Sequence, residues 1–465
     1  MLTKLRQLLH NIYFQSGLSM YVASFEVMAM SILGPSFPDL QRIYQMSLSQ
    51  ISVMMLVLYL GAIVGALGAT YIFSCHEAKA VLSVCLFISA GTLTSVPVAG
   101  SYALLLFVVF WLGASLAVLS TGGYCQMNTL WPSSPTCFHV LGLGFAVGGI
   151  ISPFLVVPFL CDSRFLSPVL NTTDSSSHCQ YIPTTWNNSG NYLLYFNDTD
   201  PGAENDSVSQ NILIDRDTTS CNAGLVIPYA LLGSLNIIPS VIFVCLHMFP
   251  NEQYTLQVSS HESIPETNSP KHYTLYSCMF TTAIVICCAP AYSIGLTYGQ
   301  YLVTFGLDTG LDLSAQTLSE MTGIFWLSML FGKCVVLCLA KRVSPAKIMF
   351  AGITGLSVLL VLLCLWAVNS STGLWIASIA FGALSGYYFN CIVEWGRQVV
   401  EFPPFVMCLC CFGDRAGTLV IVYLCGILMD TYGYMFFAYV LMFALSLIWI
   451  LVLCMSMLSK LLVGT

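Results

Sequence analysis

Four charged side chains lie inside long apolar runs: Glu26, Lys333, Asp414 and Arg415. A charge in hydrocarbon costs a few kcal/mol or more, so such residues face a cavity or a partner. Glu26 is a candidate proton carrier or cation ligand, or else a hydrogen-bonded carboxyl that ties its segment to a neighbour. Asp414 and Arg415 are adjacent, which on a helix turns them about 100° apart, so each needs a partner on another segment. The charge-balanced options are Glu26 with Arg415 and Asp414 with Lys333. Lys333 lies toward the end of its apolar run, where its stem could also snorkel to the surface.

Uncharged polar residues add a second kind of chemistry. Gln126, Asn128, Gln300 and Asn390 each carry an amide that donates and accepts, as recognition of a hydroxyl-rich solute requires. Trp326, Tyr387 and Tyr388 offer faces that can stack on a sugar ring, although packing or an interfacial belt is the commoner role for such rings. His139 and Asn236 read as a helix-end contact and an interhelical hydrogen bond. No G-x-S-x-G, P-loop or H-E-x-x-H pattern occurs. The residues therefore predict no enzyme, no cofactor and no metal site, and no nucleotide-binding partner is evident. Cys408 and Cys411 form a lone C-x-x-C within an apolar run, where thiols act as small hydrophobes.

The elements that must position these residues are membrane spans. Of 465 residues, 57% are hydrophobic and 8% charged, and the mean hydropathy is +0.82. A soluble domain carries about 25% charged residues, so lipid must solvate most of this surface. Net charge is −7 and no long basic run occurs, which excludes nucleic-acid binding as a theme. Twelve spans are predicted, at 12–35, 49–73, 80–98, 102–123, 138–160, 222–247, 273–300, 318–340, 346–368, 373–392, 403–428 and 432–458. Lys4 and Arg6 precede the first run in the manner of a signal peptide. That run is too long, contains Glu26, and ends in Gly34-Pro35-Ser36-Phe37-Pro38 rather than a cleavage site.

Two connections are long. Residues 161–221 hold four N-x-Ser/Thr sequons, at Asn171, Asn187, Asn197 and Asn205, which predict a glycosylated extracellular loop. Cys161, Cys179 and Cys221 share it, leaving room for one disulfide. Residues 248–272 form a cytoplasmic loop that divides an N-terminal half (1–160 with helix 6 at 222–247) from a C-terminal half (273–465). Nine of the fourteen Lys and Arg residues then fall on the cytosolic side, placing both termini there by the positive-inside bias.

A shift of 264 residues superposes Trp111 on Trp375, Gly122 on Gly386, Tyr124 on Tyr388 and Trp131 on Trp395; Gly68 falls on Gly332. The chain has only eight Trp, so two coincident pairs carry weight. The repeat equates helix 4 with helix 10 and helix 2 with helix 8. This is the parallel two-half plan of major facilitator carriers. The fold class is therefore an all-α membrane protein of twelve transmembrane helices in two six-helix halves, with the four charges on cavity-lining helices 1, 8 and 11.

Particular motifs narrow the family. Gly34-Pro35-Ser36-Phe37-Pro38-Asp39-Leu40, followed by Leu48-Ser49-Gln50-Ile51-Ser52, resembles the helix 1 pattern of the major facilitator superfamily domain-containing 4 and sodium-dependent glucose transporter family. Gly144…Gly148-Gly149-Ile150-Ile151-Ser152-Pro153, Ile324-Phe325-Trp326 and Gly426-Ile427-Leu428-Met429-Asp430 add weaker matches, as does the long loop after helix 5. The resemblance implies a plasma-membrane sugar carrier with sodium as a candidate coupling ion. The chain departs from the family at Ser120, where relatives tend to carry Asp, and at Lys333, where they carry Arg. It departs again at Gly142, in place of a His, and at Thr418, in place of a Glu.

The expected function is a secondary-active or facilitative carrier of a small polar solute, foremost a hexose such as glucose, working by alternating access in the lipid bilayer. Glu26 is the leading candidate for coupling. Gly65, Gly68, Pro153 and Pro290 would let helices approach or bend. Two other readings stand beside it: a carrier of a charged organic solute held by Arg415 or Lys333, and a non-transporting receptor or scaffold that keeps the fold.

Overall fold

Inside hydrocarbon every backbone N–H and C=O must be satisfied within the protein, which leaves the apolar runs no option but helix. The computed structural model describes residues 11–75, 77–131, 137–160, 224–248, 275–340, 342–366, 369–400 and 404–463. Among them twelve spans are long and apolar enough to cross a membrane. They are α1 (Ile12–Tyr44), α2 (Leu48–Phe73), α3 (Ala78–Val98), α4 (Tyr102–Met127), α5 (Cys137–Phe159), α6 (Gly224–Met248), α7 (Ser277–Asp308), α8 (Ala315–Leu339), α9 (Pro345–Leu365), α10 (Ser371–Val399), α11 (Phe405–Tyr432) and α12 (Phe436–Leu461). Side-chain oxygens of Asn11, Ser101, Ser314 and Ser370 accept from the free N–H groups at four helix starts. The four sequons, the three loop cysteines and the 248–272 connection lie largely or wholly outside the described residues.

Two spans depart from the sequence reading. The Gly-Pro-rich stretch after residue 33 was expected to close the first helix, yet α1 continues through it. The backbone breaks at Ile32 and restarts as Leu33–Tyr44. Pro35 thus falls in a first turn, where its missing N–H has no helical acceptor to lose. α10 was expected to end at 392; it runs to Val399, interrupted at Gly386–Tyr387 between segments Ser371–Ser385 and Tyr388–Val399.

Packing follows the repeat. Helices α1 and α5 pack together as α7 and α11 do; α2 and α4 match α8 and α10; α3 and α6 match α9 and α12. The two halves meet along α2–α11 and α5–α8, again an equivalent pair. Close approach depends on glycine at the α1–α5 contact, where a Cβ on Gly148 would run into the Ser24 carbonyl. Pro153 lies inside α5 and has no N–H to donate, and the Ser319 hydroxyl of α8 donates to the Pro153 carbonyl at 3.2 Å.

Candidate functional site

Between α1 and α11 the halves are joined by charge. Arg415 of α11 donates through Nη2 to Glu26 Oε1 of α1, and through the same nitrogen to Ser120 Oγ of α4 at 3.1 Å. Its Nε lies 3.7 Å from Asp414 Oδ2. All four residues are buried. The Glu26–Arg415 option is therefore the one adopted. The expectation that Asp414 pairs with Lys333 is not met: no salt bridge joins them among the described residues, and Asp414 leans on its own neighbour. The 100° offset is spanned because the long guanidinium can reach Glu26 with one edge and Asp414 with another. Glu26 Oε2 and Asp414 Oδ1 have no hydrogen-bond partner among the described residues.

Ser120, Tyr124, Phe145, Tyr292, Phe389, Cys411, Asp414 and Arg415 line a small cavity around this cluster, with room for about one or two waters. Tyr124 is the hub of its aromatic wall, with ring centroids 5.9 Å from Phe145 and 5.7 Å from Phe389. These tilted rings lie between the charges and the contacts that α5 makes with α8 and α10.

Three layers of contacts, spaced about a turn apart along α10, join α5 to the neighbouring α8 and α10. Lys333 Nζ donates to the Gly142 carbonyl at 2.9 Å, and the Asn390 amide packs against the same glycine. One turn further along α10, His139 Nε2 lies 2.6 Å from Glu394 Oε2, with side-chain exposures of 3% and 6%. The outermost layer places the Arg397 guanidinium 5.2 Å from the Phe138 ring centroid. His139 was expected to make a helix-end contact; it forms a buried bond between the halves instead. Glu394 lies beyond residue 392, where apolarity alone ends the tenth span, and is carried by the continued helix Tyr388–Val399. The spacing of Asn390, Glu394 and Arg397 along one helix face is the signal that would have revealed it.

On the opposite side Gln300 Nε2 of α7 donates to Tyr59 Oη of α2 at 3.0 Å, while the α7 backbone at Gln300 crosses Gly34 of α1. Ser49 of α2 donates to Asp430 at the end of α11. Both ends of the seam are thus in contact.

The remaining sequence candidates divide. Trp326 is buried against Gly149 and Gly299, with Nε1 lacking a partner among the described residues. Gln126 is half-buried, and its Oε1 likewise has no partner. Tyr387 does not face the cavity: its hydroxyl lies over Gly352 of α9, because the break in α10 rotates it outward. The side chain of Asn128 lies outside the described residues. Lys333 does not snorkel but is buried on Gly142. Asn236 accepts from Tyr21 Oη at 3.5 Å, the interhelical bond expected of it. Ser120 accepts from Arg415, and the Gly142 carbonyl accepts from Lys333, at two separate contacts. No cluster of three or more His, Cys, Asp or Glu among the described residues is placed to hold a metal ion.

No protein-family model matches the chain. Among curated proteins it is 22% identical to the human sodium-dependent glucose transporter 1 over 418 residues, covering 89% of this chain and 73% of that one. It is 20% identical to major facilitator superfamily domain-containing protein 4A of Danio rerio over 438 residues, covering 87% and 80%. Among solved structures, a D-xylose–proton symporter superposes with a TM-score of 0.65 at 9% identity, covering 94% of this chain and 97% of that one. The fucose–proton symporter of E. coli gives 0.59 at 14%, covering 96% and 99%. Twelve helices in two equivalent halves, meeting around a buried polar cluster and superposing on these structures over nearly their whole length, identify the chain as a multi-pass membrane protein with the major facilitator superfamily fold.

Proposed function

We propose that the chain carries a small neutral polyhydroxylated solute, foremost a hexose such as glucose, across the plasma membrane by alternating access, with Na⁺ as co-substrate. The observation that carries this reading is the buried cluster at the seam. Glu26 and Asp414 present two carboxylates to the single guanidinium of Arg415, so a monovalent cation balances the group when both are ionised. Each carboxylate keeps one oxygen free among the described residues, and sodium favours such oxygen ligands. Binding there links α1 of one half to α11 of the other, so cation occupancy and the rocking of the halves are one equilibrium.

The solute would enter between the same helices as the seam parts. Gln126, Gln300 and Asn390 supply amides for its hydroxyls, and Trp326 supplies an indole N–H and a ring face. Arg415 is already engaged by Glu26, Ser120 and Asp414, which argues against an organic anion as its ligand. The names of the curated relatives point the same way. Both termini would be cytosolic and the 161–221 loop extracellular.

Competition separates the solute classes. Uptake of labelled glucose by cells expressing the chain should be inhibited by excess unlabelled hexose and unaffected by equimolar organic anions. Inhibition by the anions alone would overturn the reading.

A further inference from the structure

Among the described cysteines, Cys278, Cys334, Cys338 and Cys454 are exposed. Two of them share a helix face. Cys334 and Cys338 stand one turn apart on α8, so their side chains are neighbours. Leu327, Phe331, Val335 and Leu339 extend the same face into an apolar stripe, with Phe331 68% exposed. The helix turns Trp326, Met329, Gly332 and Lys333 inward, so the stripe is the side that α8 gives to lipid. Cys278 and Cys454 have no second cysteine one turn away.

The pair also sits at a defined depth. Cys338 is the last residue but one of α8, which ends at Leu339. Lys341, Arg342 and Lys347 follow in sequence, and Arg342 and Lys347 are exposed. Such a cluster of cations just beyond a span marks its cytosolic end. Cys338 therefore lies at the membrane interface, and Cys334 about 6 Å deeper. From Leu327 to Cys338 the stripe is about 16 Å long, close to one leaflet of a hydrocarbon core about 30 Å thick. Both thiols are free, as the reducing cytosol keeps them.

We propose that Cys334 and Cys338 form an S-acylation site, modified at the cytosolic leaflet by an acyltransferase that uses a fatty acyl-coenzyme A. Juxtamembrane cysteines are the acceptors in this chemistry. The cysteine sulfur attacks the thioester carbonyl; a new carbon–sulfur bond forms, the bond to coenzyme A breaks, and the cysteine proton ends on the released coenzyme A thiol. Cys338, at the interface, is the primary acceptor and Cys334 the secondary one. The acyl chain runs from Cys338 along the stripe toward Leu327, within one leaflet. Because α8 packs on α5 across the seam, the lipid is fixed to an element of the contact between the halves. The inference rests on the proposed cytosolic placement of the α8–α9 connection, and it holds whatever the solute.

The test is metabolic labelling of cells expressing the full chain with alkynyl palmitate, followed by purification and detection of the alkyne. Label released by neutral hydroxylamine is expected, since hydroxylamine cleaves thioesters and spares amides. Cys338→Ala should lose most of the label, Cys334→Ala a smaller part, and the double variant all of it. Cys278→Ala and Cys454→Ala should keep it. N-glycosidase treatment of the same samples reports which side of the membrane the 161–221 loop occupies. A glycosylated wild-type chain without hydroxylamine-sensitive label overturns the proposal and leaves the orientation standing. A chain with neither glycan nor label overturns both. Label that survives unchanged in the double variant also overturns the proposal.

Discussion

Removing either partner of the His139–Glu394 bond should loosen the seam where α5 meets α10. Both side chains are buried, at 3% and 6% exposure, and sit 2.6 Å apart on opposite halves. Breaking a buried pair by deleting one partner costs about 3–5 kcal/mol, whereas the same pair facing water in an opened seam is worth about 0–1 kcal/mol. Glu394→Gln therefore penalises the sealed state relative to the open one by about 2–4 kcal/mol, a shift of roughly 30- to 1,000-fold in their ratio. The amide of Gln can still accept one hydrogen bond from His139, so the lower end applies to that variant and the upper end to His139→Ala. Hydrogen–deuterium exchange of the purified protein reads the change without labels, in peptides spanning 137–145 and 388–399. Faster exchange is expected there and not in α3 or α9, which pack away from the seam. Replacing both residues by Leu should restore slow exchange, because an apolar pair seals as well as an ionic one. Unchanged exchange in both single variants would refute the idea that this pair holds the halves together.

Other outcomes follow from the same contacts. Glu26→Gln and Arg415→Met should each destabilise the protein in mixed-micelle unfolding, with the double variant recovering about 2–3 kcal/mol of their sum; additive losses would mean the pair is not coupled. Gly148→Ala drives a methyl into the Ser24 carbonyl and should cost about 1–3 kcal/mol. Gly17→Ala, which meets nothing within 4 Å, should be neutral or stabilise by up to about 1 kcal/mol. Equal losses at the two glycines would contradict the α1–α5 packing. If the 161–221 loop is extracellular, an N-glycosidase should bring the protein down toward the 50.8 kDa of its chain. Asn→Gln at Asn171, Asn187, Asn197 and Asn205 together should abolish that shift, and a chain without glycans from the outset would reverse the proposed topology.

Much of the architecture was legible because hydrocarbon leaves few alternatives. Twelve apolar runs had to be helices, and a repeat carrying two Trp pairs implied equivalent halves. The Glu26–Arg415 pair was legible for the same reason: few charges lie in the membrane, and opposite signs must meet. What failed depended on helix ends and rotations. Pro35 and Pro38 look like a stop, yet the break falls earlier, at Ile32, and the helix resumes through them. Hydropathy drops at Glu394 and Arg397, so a window on apolarity ends α10 too soon and hides the residues that seal the seam. Tyr387 reads as a cavity residue on a continuous helix; the interruption beside it turns its hydroxyl onto Gly352. Asp414 sits beside its salt-bridge partner in sequence, and only the reach of the Arg415 fork makes that contact serviceable.

The central claim is that Glu26 links cation binding to solute movement. It is tested most directly by uptake of labelled glucose into cells expressing the chain, with external sodium present or replaced, for the wild type and Glu26→Gln at matched surface abundance. The account predicts uptake that depends on sodium in the wild type and loses that dependence in the variant. Uptake indifferent to both sodium and the substitution would contradict it and leave Glu26 as a structural tie between α1 and α11. No uptake from protein verified at the surface would contradict it further and favour a receptor or scaffold built on this fold.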